Sequence, residues 1–152
     1  MTSWVVADSG IFLATVLNES QSQQADTIIN YWIDEDIQVA VPTLFRYEII
    51  AVLRKNVYRG LISAGEALIA QNSLLAAMRG LDFLIDDALL KRSYEFATQL
   101  NRPTTYDAQY LAVAERLSCE FWTADQKLFN AVSGSLSWVK WIGNFIIPTI
   151  TS

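Results

Sequence analysis

The order of apolar and polar residues along the chain predicts short buried strands that alternate with amphipathic helices. Runs rich in β-branched and aromatic residues predict strands at residues 3–8, 37–41, 81–85, 119–124 and 136–142. Apolar residues at helical spacing predict helices at residues 9–17, 20–34, 43–60, 63–80, 86–100, 105–118 and 125–132. This alternation is typical of an α/β sandwich around a mostly parallel sheet, in which ligands bind beyond the carboxyl ends of the strands.

Composition indicates a single domain that spans residues 1–152. Hydrophobic residues make up 52% of the chain, and a chain of 152 residues is long enough to bury a sizeable core. The sequence has no internal repeat, no low-complexity tract and no linker rich in proline or glycine. All of the predicted elements are therefore expected to pack around one core.

Charge and residue usage narrow the possible chemistry. The net charge of -5 argues against non-specific binding to nucleic acid, because phosphate contacts need Lys and Arg. The absence of histidine excludes Ser-His-Asp and Cys-His catalysis and removes the usual zinc ligands. Carboxylate chemistry, lysine chemistry or no chemistry remains.

Cellular location is predicted from what the sequence does not contain. The lone cysteine, Cys119, permits no intrachain disulfide and suits a reducing cytoplasm. We recognise no secretory signal and no apolar stretch of the ~20 residues that a membrane span needs. A cytoplasmic protein without a membrane partner is expected.

Two aspartates directly follow predicted strands. Asp8 follows the first strand and Asp125 follows the fourth. Each is explained about equally well as the N-cap of the next helix or as a carboxylate in the crevice beyond the sheet. Both interpretations stay open at this point.

A third carboxylate, Asp107, lies in the first turn of a predicted helix. Thr104 could form a capping box with it, which is a purely structural explanation. However, Leu111 and Ala114 follow at helical spacing, so Asp107 shares the apolar stripe of its helix. This spacing favours an inward-facing carboxylate.

A fourth carboxylate, Glu48, lies in the middle of a predicted helix. Lys55 and Arg59 lie on nearly the same face, so a surface glutamate is a reasonable interpretation. Against it, Leu44 and Val52 lie one turn away on either side. Glu48 is therefore also a candidate for the interior of the site.

Taken together, Asp8, Glu48, Asp107 and Asp125 suggest four carboxylates that converge at one end of the sheet. Close carboxylates repel and cannot all stay ionised without a positive partner. Oxygen-only ligands favour Mg²⁺ or Mn²⁺, which activate water and neutralise charge on phosphate. The residues alone thus predict a hard-metal site that acts on a phosphate substrate.

Three segments resemble the PIN-domain family, and most closely its VapC-type toxins. They are "VVADSGIFLATVL", "VPTLFRYEIIAVLRK" and "YDAQYLAVAERLSCEFWTADQKL", in the family's order and spacing. The resemblance implies a three-layer α/β/α fold and a Mg²⁺- or Mn²⁺-dependent endoribonuclease, in which water attacks the scissile phosphate of RNA in line and leaves a 5′-phosphate and a 3′-hydroxyl. It also implies a homodimer that a small antitoxin inhibits.

The resemblance also assigns roles to individual residues. The family's acidic positions correspond to Asp8, Glu48, Asp107 and Asp125, all as catalytic metal ligands. Its small hydroxylated residue before the last acid corresponds to Thr123, which would orient a ligand.

Two positions depart from the family pattern. Its first motif usually reads Asp-x-Ser, whereas here Ser9 precedes Gly10, so the supporting hydroxyl is displaced or absent. The family's Asn one turn after the glutamate is replaced by Ala51. These departures support the alternative of a catalytically weak or inactive binding module.

An α/β phosphotransfer domain, in which an aspartate becomes phosphorylated, is a third, weaker hypothesis, because Asp8 has no acidic neighbour and the fourth predicted strand does not end in a lysine.

Two other features have structural and functional interpretations. A basic group on one helix and its exit is expected to be a solvated helix face, with an RNA-binding patch as the alternative; it consists of Arg46, Arg54, Lys55 and Arg59. The apolar residues of the next helix are expected to pack in the core, with a partner surface as the alternative; they are Leu68, Ile69, Leu75 and Met78.

Overall fold

A parallel sheet forms the centre of the molecule, and the predicted fold class is confirmed. The computed structural model describes residues 2–149. Within these residues the strands are β1 (Ser3–Ala7), β2 (Ile37–Pro42), β3 (Asp82–Leu84), β4 (Glu120–Thr123) and β5 (Val139–Trp141). All neighbouring strands pair in parallel, in the spatial order β3-β2-β1-β4-β5.

The helices agree closely with the sequence prediction. They are α1 (Ser9–Val16), α2 (Ser22–Asp34), α3 (Leu44–Tyr58), α4 (Ala64–Met78), α5 (Asp87–Gln99), α6 (Tyr106–Leu117) and α7 (Gln126–Val132). The last strand is shorter than predicted at both ends, because residues 136–138 belong to the preceding turn and Ile142–Asn144 form a turn of 3-10 helix. Met1 and residues 150–152 lie outside the described residues. None of the helices within residues 2–149 is long and apolar enough to span a bilayer.

The strand order reverses direction between β1 and β4. The chain adds β2 and β3 on one side of β1, then returns through α5 and α6 to place β4 on its other side. Because crossovers between parallel strands are right-handed, this reversal puts α5–α7 on the face of the sheet opposite α1–α4. Ligands of open α/β sheets bind at such a switch point, beyond the carboxyl ends of the strands. This rule points to the residues that follow β1 and β4.

The core is built mainly from the central strands and the inward faces of the helices. Val6 and Ala7 of β1 are completely buried, as is Phe121 of β4. α6 packs against β1, β2 and β4, so its inner face covers the middle of the sheet. Because α6 leads directly into the start of β4, its first turn lies at the opposite end of the sheet, where the carboxyl ends of the strands are.

The prediction for the apolar residues of α4 is wrong for three of four side chains. Met78 is buried, but Leu68, Ile69 and Leu75 are 59%, 72% and 45% exposed. α4 buries a stripe of Ala67, Ala70, Leu74 and Met78 instead. Apolar residues occur on all sides of α4, so their spacing alone did not distinguish the inner face from the outer one.

Candidate active site

Asp8 lies at the switch point, where it caps α1 and is a candidate residue of the site. It is the N-cap of α1, and its Oδ1 accepts a hydrogen bond from the backbone N–H of Ile11 at 3.1 Å. Ala124 N–H lies 3.4 Å from the same oxygen. Burial raises the pKa of Asp8 to about 7, against the lowering effect of these donors. The two interpretations that the sequence left open are therefore both compatible with its position.

Thr123 connects the ends of β1 and β4. Its completely buried hydroxyl donates a hydrogen bond to Oδ2 of Asp8. The same hydroxyl oxygen accepts from the backbone N–H of Asp125 at 2.9 Å. A single side chain thus orients one carboxylate and the backbone of the other across the crevice, which suits the supporting role predicted for it.

Glu48 of α3 is half-buried and points towards α6. Its Oε1 accepts a hydrogen bond from the hydroxyl of Tyr110 at 2.5 Å, and the hydroxyl of Ser9 lies 3.5 Å from the same atom. Burial raises the pKa of Glu48, opposed by the Tyr110 hydroxyl and reinforced by the charge of Asp107. Glu48 is therefore not a solvated surface glutamate.

Asp107 is half-buried in the first turn of α6, and its neighbours Leu111 and Ala114 are buried as predicted. Oδ2 of Asp107 lies 3.5 Å from Nη2 of Arg102. Burial raises the pKa of Asp107, against the attraction of Arg102. The capping box from Thr104 is not formed, because α6 starts after Thr105, whose side chain makes no capping hydrogen bond.

Asp125 is exposed at the end of β4. It is the N-cap of α7 and accepts a hydrogen bond from the backbone N–H of Leu128 at 3.1 Å. Its charge contributes to the raised pKa of Asp107. Asp125 therefore lies at the solvent side of the acidic group.

The four acids form a linear series of electrostatic neighbours. The charge of Glu48 raises the pKa of Asp8, that of Asp107 raises the pKa of Glu48, and that of Asp125 raises the pKa of Asp107. The described part of the chain has no group of three or more acidic or cysteine side chains that could together hold a metal ion as they stand. The donor chemistry nevertheless fits a hard cation, since every candidate ligand is a carboxylate oxygen and a cation would relieve the mutual repulsion. Their role as metal ligands stays a prediction.

The two departures from the family pattern have local structural correlates. A Cβ atom on Gly10 would lie 3.2 Å from Cβ of Ala124 and 3.3 Å from Oδ1 of Asp8, so glycine allows α1 to approach the end of β4 closely. The displaced hydroxyl is that of Ser9, which is buried and directed at Glu48. Ala51 is exposed and lines a groove beside Glu48.

Sequence reasoning missed two residues of the site. Tyr110 is only 2% exposed, stacks on Phe121 with ring centroids 5.7 Å apart, and directs its hydroxyl at Glu48. It follows Asp107 by three residues, so helical spacing could have placed both on one face. Arg102, the partner of Asp107, lies in the loop before α6 and carries no such periodic signal.

The basic group on α3 and its exit is largely solvent-exposed, as expected for a solvated helix face. Arg46 lies over the ring of Phe83 at 3.8 Å from its centroid, and Arg54 lies 5.9 Å from the centroid of Tyr58. Lys55 and Arg59 are exposed. Cation–π contacts thus orient two of the four side chains.

The fold and the acidic crevice define a class of protein, namely parallel α/β/α domains with carboxylates at the topological switch point. Residues 5–134 match the PIN domain family, and the chain belongs to this family. Its members are generally nucleases. A sequence comparison with curated proteins finds no match.

Solved structures with similar folds include toxins. PAE2754 from Pyrobaculum aerophilum has a TM-score of 0.66 and 21% identity, over 94% of this chain and 93% of that one. A toxin–antitoxin complex from Klebsiella pneumoniae has a TM-score of 0.64 and 16% identity, over 89% and 94%. VapC20 of Mycobacterium tuberculosis, a sarcin-ricin loop cleaving toxin, has a TM-score of 0.59 and 13% identity, over 95% and 98%. At these identities the similarity shows the shared fold.

Proposed function

We propose that the protein is a Mg²⁺- or Mn²⁺-dependent endoribonuclease that hydrolyses RNA phosphodiester bonds. The observation that supports this proposal most strongly is the series of four carboxylates, Asp8, Glu48, Asp107 and Asp125, at the switch point of a PIN domain. A buried hydroxyl supports each of the two inner acids, Thr123 for Asp8 and Tyr110 for Glu48. An acid that only caps a helix does not need a supporting hydroxyl of this kind, and Glu48 caps no helix.

In this proposal the chain's own residues bind the cations, orient the carboxylates that bind them and offset part of the negative charge of the site. The four carboxylates would bind one or two cations, which supply charge neutralisation at the phosphate and activation of water when bound. Thr123 keeps Asp8 in one rotamer, and Tyr110 with Ser9 does the same for Glu48. Arg102 partly offsets the charge of Asp107 in the free protein and would be available to bind a phosphate of the substrate.

We further propose that the protein is the toxin of a type II toxin–antitoxin pair and forms a homodimer. The structural similarity to a toxin–antitoxin complex and to an RNA-cleaving toxin supports this assignment. Exposed large apolar side chains on and between α3 and α4 also suit protein partners. They include Tyr58, Leu61, Leu68 and Ile69, which are 80%, 68%, 59% and 72% exposed.

A cytoplasmic location is part of the same proposal, because RNA and a co-expressed antitoxin would both be met there. Cys119 is unpaired by disulfide, and burial, with the charge of Glu120, raises the pKa of its thiol to about 11. A thiol with this pKa stays protonated and unreactive. The protein thus needs no oxidising compartment.

The decisive experiment is RNA cleavage by the purified protein with Mg²⁺ or Mn²⁺. Cleavage is expected to require the metal and to be abolished by Asp8→Asn, which removes a ligand but keeps an efficient helix cap. Asp26→Asn, an exposed acid on α2, is the matched control and should leave cleavage unchanged. Cleavage that persists in EDTA or in Asp8→Asn would contradict the proposal.

The alternative of an inactive binding module is favoured by one observation, the lack of a ready-formed triad of ligands within residues 2–149. Calorimetric titration with Mn²⁺ separates the two functions. Binding that Asp8→Asn weakens supports the nuclease, whereas no binding at millimolar Mn²⁺ supports the module.

A further inference from the structure

An open groove of about 400 Å³ adjoins Glu48 on the outer side of α3. We name it the Tyr47 groove and define it by six of its lining residues: Tyr47, Glu48, Ala51, Val52, Lys55 and Tyr106. Because Glu48 belongs both to the groove and to the acidic series, the groove is a direct extension of the candidate active site.

The walls of the groove are aromatic and accessible. Tyr47 is 68% exposed and Tyr106 is 56% exposed, so each presents much of its ring to solvent. Ala51 lies one turn after Tyr47 and contributes only a methyl group, which leaves the space beside the Tyr47 ring open. Exposed aromatic faces of this kind are the usual platforms on which unpaired bases stack.

Charge along the groove changes sign with distance from the acidic site. Glu48 at one end repels phosphate, whereas Lys55 lies seven residues later, about 10 Å along the helix axis. Lys55 is exposed and makes no ion pair within the part of the chain that the structure describes. The groove therefore combines an apolar aromatic middle with a free cation at its far end, which matches a base followed by its backbone phosphate.

We propose that the Tyr47 groove binds one unpaired base of a single-stranded RNA, stacked on Tyr47 or Tyr106, with Lys55 contacting a neighbouring phosphate. This subsite extends the proposed ribonuclease function and rests on it for its biological meaning. It would place the base beside the scissile phosphate and so contribute to the choice of cleavage site.

Binding of fluorescein-labelled oligoadenylate, followed by fluorescence anisotropy, tests the subsite. The full chain carries Asp8→Asn so that the probe is not cleaved, and an oligomer of abasic ribose phosphates of equal length reports backbone binding alone. Tyr47→Ala and Tyr106→Ala are expected to raise the Kd for oligoadenylate by about 5-fold or more, because base stacking on an aromatic contributes ~1–3 kcal/mol. Ala51→Leu, which fills the groove and keeps both tyrosine rings, should raise the Kd for oligoadenylate in the same way.

Two controls separate stacking from other effects. Tyr94→Ala removes an equally exposed tyrosine on α5 (69% exposed) and should leave both Kd values unchanged. Lys55→Ala should raise the Kd for both probes by a similar factor. It should also reduce the slope of log Kd against log salt concentration by about 1, as expected for the loss of one phosphate contact.

The outcomes test the proposed base subsite separately from the proposed nuclease activity. Parent-like binding by the Tyr47, Tyr106 and Ala51 variants, equal affinity for the two probes, or no binding by the parent would each overturn the subsite. Conversion of a dimer to a monomer by Tyr47→Ala in sedimentation velocity would also overturn it, since the groove would then be a contact between two copies of the chain. If oligoadenylate binding depends on the tyrosines while the wild-type protein cleaves no RNA, the subsite stands and the nuclease proposal fails.

Discussion

The buried hydroxyl of Thr123 donates a hydrogen bond to Asp8 across 115 residues of sequence, and this contact joins the carboxyl ends of β1 and β4. Thr123→Val keeps the shape of the side chain but removes the donor to Asp8 and the acceptor for Asp125 N–H. We expect Mn²⁺ affinity and RNA cleavage to fall by ~10-fold or more, as is typical when a ligand loses its supporting hydrogen bond.

Calorimetry and a cleavage assay measure this effect. Thr123→Ser, which retains the hydroxyl, should recover much of the loss. Thr98→Val on the exposed side of α5 is the control, because its hydroxyl bonds only to the carbonyl of Tyr94. Unchanged Mn²⁺ affinity in Thr123→Val would show that Thr123 is a structural residue alone.

Tyr110→Phe tests the second hydroxyl of the site. The ring can keep its stacking on Phe121, but Glu48 loses its shortest hydrogen bond. Because that bond favours the charged carboxylate, its loss should raise the pKa of Glu48 further. We expect the pH profile of metal-dependent cleavage to move to higher pH, with a larger loss of rate at pH 6 than at pH 8.

The matched control for Tyr110→Phe is Tyr94→Phe, an exposed tyrosine on α5. Its pH profile should superimpose on that of the parent. A uniform loss of rate at every pH in Tyr110→Phe would instead assign Tyr110 a packing role.

The stability of the metal-free protein should fall as pH rises from about 4 to about 7, in part because of Asp8. The folded-state pKa of Asp8 is about 7, whereas its ordinary value is 3.8, so the folded state binds the proton more tightly. Its contribution to stability is therefore complete below pH ~4 and is lost as pH rises through ~7. We expect a loss on the order of a few kcal/mol, because the pKa of Asp8 is raised from 3.8 to about 7 and one pKa unit corresponds to ~1.4 kcal/mol.

Urea unfolding in EDTA at several pH values measures this loss. Asp8→Asn should be less sensitive to pH over the same window and, at pH 7, more stable than the parent. Glu48 and Asp107 have pKa shifts of the same sign, so some pH dependence should remain. Equal pH dependence in parent and variant would contradict the raised pKa of Asp8.

The pair formed by Asp86 and Arg116 should have the opposite pH dependence. Arg116 donates to Asp86 at 2.6 Å, and with the backbone N–H of Leu89 it lowers the pKa of Asp86 to about 2. The stabilising contribution is thus present above the ordinary value of 3.8 and is lost as pH falls towards about 2. Asp86→Asn keeps an N-cap for α5 and removes only the ion pair.

In urea unfolding, Asp86→Asn should be slightly less stable than the parent at pH 7, with a difference that disappears as pH approaches 2. Asp87→Asn, the next residue in the first turn of α5, is the control for a general charge effect. A difference that stays constant down to pH 2 would exclude the ion pair as its cause.

The order and type of the elements could be predicted because each carries its own local pattern. The β-branched run of β1 and the helical spacing of Ala25, Ile28 and Trp32 in α2 are visible within a few residues, and all three of these α2 side chains are buried. Caps were less predictable. Thr43, a residue type that commonly caps helices, directly precedes α3, yet its side chain makes no capping hydrogen bond.

The partners of the acidic residues could not be predicted, because they come from distant parts of the chain. Tyr110 reaches Glu48 across 62 residues, and Ser9 reaches it across 39. No periodic pattern relates such positions, since their proximity follows from the order of strands in the sheet. The prediction of which α4 side chains are buried failed for another reason, namely that the helix is also apolar on the side that faces solvent.

Asp8 and Asp125 are helix caps as well as proposed metal ligands, and this double role has a genetic consequence. Asparagine caps helices about as well as aspartate, and every aspartate codon becomes an asparagine codon by one transition at its first base. A cell harmed by the proposed activity could therefore silence it with a single nucleotide change that leaves the fold intact. Among the alleles that still yield a folded protein, populations that express the protein without its inhibitor should accumulate Asp-to-Asn changes at these two codons.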